Sequence, residues 1–406
     1  MCGCFSIAPS HFDSHSTDSQ IPPPYKIHVA LLVVRYDVGG MERYVAKVAN
    51  GLDREFFHVS LICLDRVGNA KSWISKTDVE IVELGIRSGN SWRAVKAIAG
   101  ALKRLEPDIV HSHNWGTLLE TYLAVKRYGK AVHVHGERGS VLGSDRCSPI
   151  KRRMRAMVMR WICRRITVTT NSHCVAKKVC SIVGIDSSAV HIIPNGLERK
   201  FPPQELARFR EEVRLQFGMS EGSYVIGIVA RLSRVKNLGL VIHAFNELPE
   251  EMQRATHLLM VGDGPCRSEL ETLVEQLDLR DRVHFAGHQS NTWRFMAAMD
   301  VFVNCSDSEG MSQSMLEAMA AGLPIIATDV GDAARTLLTP NPGGIVIAPN
   351  DCCSLTDALV KMSTTEVRRA YAAAALACQG ERYGLDTMIR GYEKLYHELA
   401  SSSLKS

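Results

Sequence analysis

Short apolar runs of strand length alternate with helix-length stretches along most of this chain, and the series occurs twice. The first series opens at His28-Val29-Ala30-Leu31-Leu32-Val33-Val34. It continues through Val59-Ser60-Leu61-Ile62-Cys63-Leu64, Val79-Glu80-Ile81-Val82, Asp108-Ile109-Val110-His111, Val132-His133-Val134-His135 and Ile166-Thr167-Val168-Thr169-Thr170. Helical stretches fall between them, notably residues 41–52 and residues 92–105, the latter stopped by Pro107. Unbroken apolar runs suit strands covered on both faces, and strands separated by helices pair in parallel. The second series opens at Tyr224-Val225-Ile226-Gly227-Ile228-Val229, followed by a helix over residues 238–248. His257-Leu258-Leu259-Met260-Val261, Val283-His284-Phe285, Val301-Phe302-Val303 and Pro324-Ile325-Ile326-Ala327 complete it. The break falls between Asn195-Gly196 and Ser223, where Phe201-Pro202-Pro203 and a charged stretch interrupt the strands. The pattern predicts an α/β chain of two doubly wound parallel-sheet domains facing each other across a cleft. Ligands in such sheets bind at the carboxyl ends of the strands, so both domains present loops to one crevice.

With 406 residues the chain is long enough for two domains, and 46% apolar with 22% charged residues is an ordinary globular balance. A net charge of +5 suits phosphorylated substrates but does not call for nucleic acid, and no nucleic-acid motif is present. The 12 cysteines form no Cys-x-x-Cys pair and no zinc spacing; several lie in apolar runs, usage that points to a reducing cytoplasm. No apolar stretch is long enough to span a membrane. Residues 1–24 lack the basic start and apolar core of a secretory signal, and are expected to be disordered.

The segment from Ser306 to Pro324 is the most informative. A strand ends near Asn304, a polar turn follows, and Met315, Leu316 and Met319 begin a helix. The amides of Gly310, Met311 and Ser312 then sit at a helix N-terminus, a seat for a diphosphate. Glu309 precedes that helix and Glu317 lies within it, at most on the order of 12 Å apart if both were helical. That reach suits one carboxylate on a sugar and one on a ribose; alone, the segment reads equally as a helix cap and a solvated glutamate. Arg231 and Lys236 follow the first strand of the second series, where two cations can neutralise a departing diphosphate, or simply be solvated. Gly39-Gly40 permits close approach of backbone to a phosphate or sugar, or makes a tight turn. His135 ends its strand and is the histidine best placed to meet a sugar, while His111, His113 and His133 have no carboxylate spacing that makes a metal set. Val261-Gly262-Asp263-Gly264-Pro265 lines a nucleotide site or is an ordinary turn. Residues 149–165 join seven basic side chains to an apolar stripe of Met154, Met157, Val158, Trp161 and Ile162. This helix either rests on an anionic membrane or packs on the core with its cations solvated.

Taken in order, these segments resemble the retaining glycosyltransferase family four, which has the GT-B fold. The resemblance runs from Lys26 to about Glu393 through Gly39-Gly40-Met41-Glu42, Pro194-Asn195-Gly196, Arg231 with Lys236, Val261-Gly262-Asp263-Gly264-Pro265, and Glu309 with Glu317. The start and His135-Gly136-Glu137-Arg138-Gly139 look closest to bacterial exopolysaccharide sugar transferases. Val330-Gly331-Asp332, where a second glycine is common, and Ser312-Gln313 depart from the pattern. The resemblance implies residues 25–205 as an acceptor-side Rossmann-like domain, 206–384 as the nucleotide-sugar donor domain, and 385–406 as a helix placed to pack back on the first. It implies a retaining, metal-independent hexosyltransferase without cofactor, using a nucleotide-diphosphate sugar and a glycan or lipid-linked acceptor. That enzyme would be cytoplasmic and peripheral on the inner membrane face, working in exopolysaccharide or other cell-surface glycan synthesis. Arg231 and Lys236 would bind the diphosphate, Glu309 and His135 the transferred sugar, and Glu317 the ribose. Gly310, Met311 and Ser312 would touch sugar and phosphate, Gly39 and Gly40 would border the phosphates, and Gly262 and Gly264 would lie at the nucleotide. The alternatives are a GT-B nucleotide-sugar epimerase and a non-catalytic nucleotide-sugar-binding protein.

Overall fold

A computed structural model describes residues 25–37, 39–87, 91–139, 141–142, 148–199, 201–309, 312–331 and 342–403. The expected extension over residues 1–24 lies outside them. Among the described residues the first half forms a seven-stranded parallel sheet, ordered β3-β2-β1-β4-β5-β6-β7. Its strands are β1 (Ile27–Val33), β2 (Phe57–Cys63), β3 (Glu80–Glu83), β4 (Ile109–His113), β5 (Val132–Glu137), β6 (Thr167–Thr170) and β7 (Val190–Ile192). The second half forms a six-stranded parallel sheet, ordered β10-β9-β8-β11-β12-β13. Its strands are β8 (Tyr224–Val229), β9 (Thr256–Val261), β10 (Val283–Gly287), β11 (Val301–Asn304), β12 (Ile325–Thr328) and β13 (Gly344–Ile347).

Strand β1 shows why the apolar runs are unbroken. Val29, Leu31 and Val33 pack into a core with Val45 and Ala49 of the helix Gly40–Gly51. Ala30 and Leu32 point the other way, onto Ile98 and Leu102 of the helix Trp92–Leu105. Successive side chains alternate between faces, so a strand covered twice is apolar along most of its length, except where a buried partner satisfies a polar side chain.

Three elements add to the expected series. The edge strands Val190–Ile192 and Gly344–Ile347 are short and lie beside proline or paired glycine, so neither stands out as a buried run. The charged stretch expected to interrupt the strands folds as the helix Pro203–Gln216. That helix has a proline in its first turn and turns Phe209 and Val213 inward.

The last helix, Leu385–Ser403, leaves the second half and returns to the first. Its buried stripe of Met388, Ile389, Tyr392, Leu395 and Tyr396 joins the core beneath β1. Two chain crossings touch where it departs. Leu197 N–H donates to Tyr383 O at 2.8 Å, and a Cβ on Gly196 would meet Gly384 O at 2.8 Å. The helix Gly40–Gly51 joins this crossing through Lys47 Nζ, which donates to Gly196 O at 2.7 Å.

Candidate active site

In each sheet the strand order reverses once: β1 lies beside β4 in the first, and β8 beside β11 in the second. Connections leave such neighbouring strands in opposite directions and open a crevice between their carboxyl ends. In the second half, the loop after β8 carries Lys236 and the loop after β11 carries Glu309.

The two loops are fastened together. Asp307 N–H donates to Val235 O at 2.8 Å, and Cys305 Sγ–H reaches Lys236 O at 3.2 Å and Asn237 O at 3.1 Å. Asn237, held left-handed at φ 47, donates its side-chain amide to Asp307 Oδ1 at 3.2 Å and Asn350 Oδ1 at 2.7 Å. Asparagine tolerates that conformation better than most residues. With the loops fixed, Lys236 Nζ donates directly to Glu309 Oε1, and Ser306 Oγ donates to the same oxygen at 2.8 Å. The pair is 23% and 11% exposed, open enough on the lysine side for a ligand to reach it.

Glu317 lies on the helix Gln313–Ala320, 9% exposed, and accepts from Thr292 Oγ1 at 3.0 Å. Ser312 is the N-cap of that helix, its hydroxyl 3.2 Å from that of Ser314. Gly310 and Met311 lie outside the described residues, as does Asp332. Gly331, at φ 61, stands where the halves meet: a Cβ there would be 2.9 Å from Glu309 O and 3.4 Å from Cys174 Sγ of the first half.

Arg231 is exposed on the loop after β8, and the structure gives Gly262 and Gly264 the task of shaping that loop. Ala230 N–H donates to Val261 O and Leu232 N–H to Asp263 O, both at 3.0 Å. A Cβ on Gly262, at φ 135, would lie 1.9 Å from Ala230 O, and one on Gly264 would lie 2.4 Å from Leu232 O. Backbone packs on backbone here, so neither position admits a side chain.

Between the halves lies a cavity of about 500 Å³. Gln313 and Glu317 line it from the second half; Gly40, Arg43, Lys47 and Arg138 line it from the first. Gly40 has no atom within 4 Å of where its Cβ would be, so it keeps an open approach to the cavity. Gly39 serves a different end: a Cβ there would sit 2.3 Å from Glu42 Oε2. Burial raises the Glu42 carboxyl above its usual range, its own backbone N–H offsets this in part, and Asp37 adds to the rise.

His135 is placed away from its expected position at the cleft. It is fully buried, its Nδ1 2.8 Å from Ser112 Oγ and its Nε2 3.2 Å from Glu137 Oε1. The reason is the length of β5, which continues to Glu137 and leaves His135 two residues below the strand end. The residue that reaches the cavity from this strand is Arg138, which sequence reasoning missed. Its guanidinium lies 3.2 Å from the centre of the Tyr44 ring, donates to Asn195 Oδ1 at 2.6 Å and contacts Tyr392 OH. Its signal was present in the segment running from His135 to Gly139, but no spacing separates this arginine from the many on the surface.

Of the other strand-end histidines, His111 and His133 are bonded within the interior, while both ring nitrogens of His113 are buried without a hydrogen-bond partner among the described residues. His111 Nδ1 meets Tyr396 OH at 2.7 Å, and His133 Nε2 meets Ser112 Oγ at 2.8 Å. Burial holds His111, His113 and His133 well below the ordinary imidazole range. Among the described residues no group of three His, Cys, Asp or Glu stands together as a metal would need. No described helix is long and apolar enough to cross a membrane. The basic helix Pro149–Cys163 buries Met159, Ile162 and Cys163 but leaves Ile150, Met154, Met157 and Trp161 exposed.

Known proteins share this plan. The family model Glycosyltransferase Family 4 matches residues 38–201, and Glycosyl transferases group 1 matches residues 209–375. The N-acetyl-alpha-D-glucosaminyl L-malate synthase of Bacillus anthracis is 25% identical over 307 residues, 74% of this chain and 77% of that one. The UDP-Gal:alpha-D-GlcNAc-diphosphoundecaprenol alpha-1,3-galactosyltransferase of Escherichia coli is 25% identical over 360 residues, 84% and 89% of the two chains. In fold, Anabaena Alr3699/HepE in complex with UDP superimposes with a TM-score of 0.76 at 20% identity, covering 92% of this chain and 100% of that one. Each sheet thus carries the family match of one half of a two-domain transferase, and the chain belongs to the GT-B glycosyltransferases.

Proposed function

We propose that the protein transfers a hexosyl group, with retention of configuration, from a nucleotide-diphosphate sugar to a hydroxyl of a glycan or lipid-linked acceptor. The observation that carries this reading is the meeting of Lys236 and Glu309 at the crevice of the second sheet; Glu317, on the helix that follows Glu309, lines the cavity between the halves, which Arg231, Lys236 and Glu309 do not line. In this reading Lys236 and Arg231 receive the diphosphate, Glu309 grips hydroxyls of the transferred sugar, and Glu317 holds the ribose. The amides of residues 310–312 contact sugar and phosphate, and Gly39 and Gly40 border them from the first half.

The arriving diphosphate competes with Glu309 for Lys236. As the C1–O bond to the diphosphate breaks, its growing negative charge falls on Lys236 and Arg231, where an oriented cation is most effective. The acceptor hydroxyl enters on the face the diphosphate leaves and passes its proton to it, without a covalent enzyme intermediate. These cations do the charge neutralisation, so no metal enters the scheme. His135, buried between Ser112 and Glu137, has no contact with the sugar in this scheme.

HepE has been solved with UDP and with UDP-glucose, which favours a nucleotide-sugar donor. The diphosphoundecaprenol in the name of the Escherichia coli relative favours a lipid-linked acceptor and cell-surface glycan synthesis. The exposed Ile150, Met154, Met157 and Trp161, flanked by cations, favour contact with an anionic membrane. The test is a thermal-shift screen with uridine, guanosine and adenosine diphosphates and their sugars, since a ligand of the folded state raises Tm. The responding donor is then incubated with and without acceptor sugars. Isomerisation of donor alone, or no transfer to any acceptor, would overturn the proposal.

A further inference from the structure

The donor scheme uses Gly40 on the first-half side of the cavity but leaves the cations of that side without a task. Arg43 and Lys47 project from the helix Gly40–Gly51 and Arg138 from the end of β5, while Glu317 is the one carboxylate among the described lining residues. Glu317 stands on the opposite wall with Thr292. No ion pair among the described residues involves Arg43 or Arg138. Each is held in place by an aromatic ring instead: Arg43 lies 5.1 Å from the centre of Trp73, and Arg138 is stacked on Tyr44.

Arg138 is oriented more closely than solvation requires. Asn195, Tyr392 and Tyr44 fix its guanidinium from three sides. Among the described residues its Nε–H is nevertheless buried without an acceptor, which suits an anion's oxygen, and Oδ1 of Asn171, a residue lining the same cavity, is buried without a donor, which suits a sugar hydroxyl. A buried polar atom left unpaired costs about 1–3 kcal/mol, a cost that a ligand atom removes. A planar guanidinium fixed at a cavity wall recognises a carboxylate or phosphate.

Resting on the transferase reading above, we propose that this wall is an acceptor subsite for an anionic group. The acceptor is therefore a sugar or polyol carrying a phosphate or carboxylate near the hydroxyl that is glycosylated. Arg43 and Arg138 bind that group, and Lys47 adds positive charge from the next turn of the helix. A neutral sugar fills the space but leaves the arginines without their ligand.

The experiment uses the full chain saturated with UDP and compares a neutral sugar with sugars that carry a carboxylate, a phosphate or a lipid-linked diphosphate. Glucose, glucose 6-phosphate, glucuronate and geranyl-diphosphate-linked N-acetylglucosamine are each titrated calorimetrically. The charged probes are expected to bind about tenfold or more tightly than glucose, the scale of one charge-assisted contact. Arg43→Gln, at an exposed site, should remove most of that preference while UDP affinity stays as in the parent. Arg138→Lys should retain part of it, and Arg138→Gln none; unchanged UDP binding certifies the fold of each variant. Preference for glucose 6-phosphate names a soluble acceptor, and preference for the geranyl conjugate alone names a lipid-linked one; either supports the subsite. Equal binding of glucose and all charged probes, with UDP bound normally, overturns the subsite and leaves the donor reading intact. Failure of uridine, guanosine and adenosine diphosphates all to bind condemns the donor reading instead.

Discussion

The two halves share a sheet plan but treat the carboxyl ends of their central strands in opposite ways. In the first half β4 and β5 bury their polar residues: His111, Ser112, His113, His133, His135 and Glu137 are all closed to solvent and bonded or stacked among themselves and the last helix. In the second, short loops after β8 and β11 lift Lys236 and Glu309 to the crevice and join them there. One topology can therefore supply either a rigid polar platform or a charged mouth. The difference lies in whether the strand or the loop carries the polar residues.

Acid should separate the halves most sharply. Burial holds His111, His113 and His133 neutral, and burial lowers His28 to about 4, with His58 adding to the effect. The unfolded chain takes up these protons near the ordinary histidine value of about 6.5. The unfolded state thus binds more protons below that pH, so stability is complete above it and falls as pH drops toward 4. The second half has a smaller set, His257, lowered to about 4 mainly by burial, and its partner His284. Hydrogen exchange at pH 7 and pH 5 should show peptides from β4 and β5 losing protection before those from β8 and β11. Simultaneous loss would mean that the buried histidines do not set the acid response.

The next largest effect concerns the last helix. Tyr392 is fully buried against Tyr44 and His111 and touches Arg138. Tyr392→Ala should cost roughly 3–5 kcal/mol, the scale for truncating a buried aromatic ring. The loss should appear in the first half although residue 392 follows the whole second sheet in sequence. Urea unfolding followed by exchange of the two sheets checks this; equal weakening of both would show that the helix belongs to neither in particular.

At the charged mouth, Lys236→Ala should lower kcat by about 3 kcal/mol, a factor of 10² or more, with the melting temperature little changed. The contrast is with Tyr392, where stability moves first. Turnover like the parent's at saturating donor would remove Lys236 from the scheme.

These residues also differ in how readily the sequence shows them. Lys236 and Glu309 are legible because each lies in the loop beyond an apolar strand, and a strand end in such a sheet is a cleft position; Glu317 is legible by its place on the helix that follows Glu309. Arg138 is not, because its place depends on where β5 stops, and the glycine after His135 hides two further strand residues. Its supports are more remote still: Asn195 and Tyr392 reach it from 57 and 254 residues away. Gly262 and Gly264 are visible as glycines, but their reason is the backbone of residues 230–232, which no local pattern reveals. The sheets themselves were readable because burial on both faces leaves most positions of strands such as β1 and β8 apolar. The edge strands Val190–Ile192 and Gly344–Ile347 have one neighbour each and carry no such mark.

The smallest effects should divide the mouth itself. Two hydroxyls orient its carboxylates: Ser306 donates to Glu309 at 2.8 Å, and Thr292 to Glu317 at 3.0 Å. Each bond to a partly solvated carboxylate is worth roughly 1 kcal/mol, about a fivefold change in rate or affinity. If Glu317 holds the ribose, its contact is the same in ground and transition states, so Thr292→Val should raise the donor KM about fivefold and leave kcat alone. If Glu309 holds the sugar that moves, its contact tightens as the bond breaks, so Ser306→Ala should lower kcat by a similar factor instead. Steady-state kinetics on the two variants decides the matter. The reverse pattern would exchange the roles of the two carboxylates, and an identical response from both would mean that the hydroxyls stabilise the loops without steering either carboxylate.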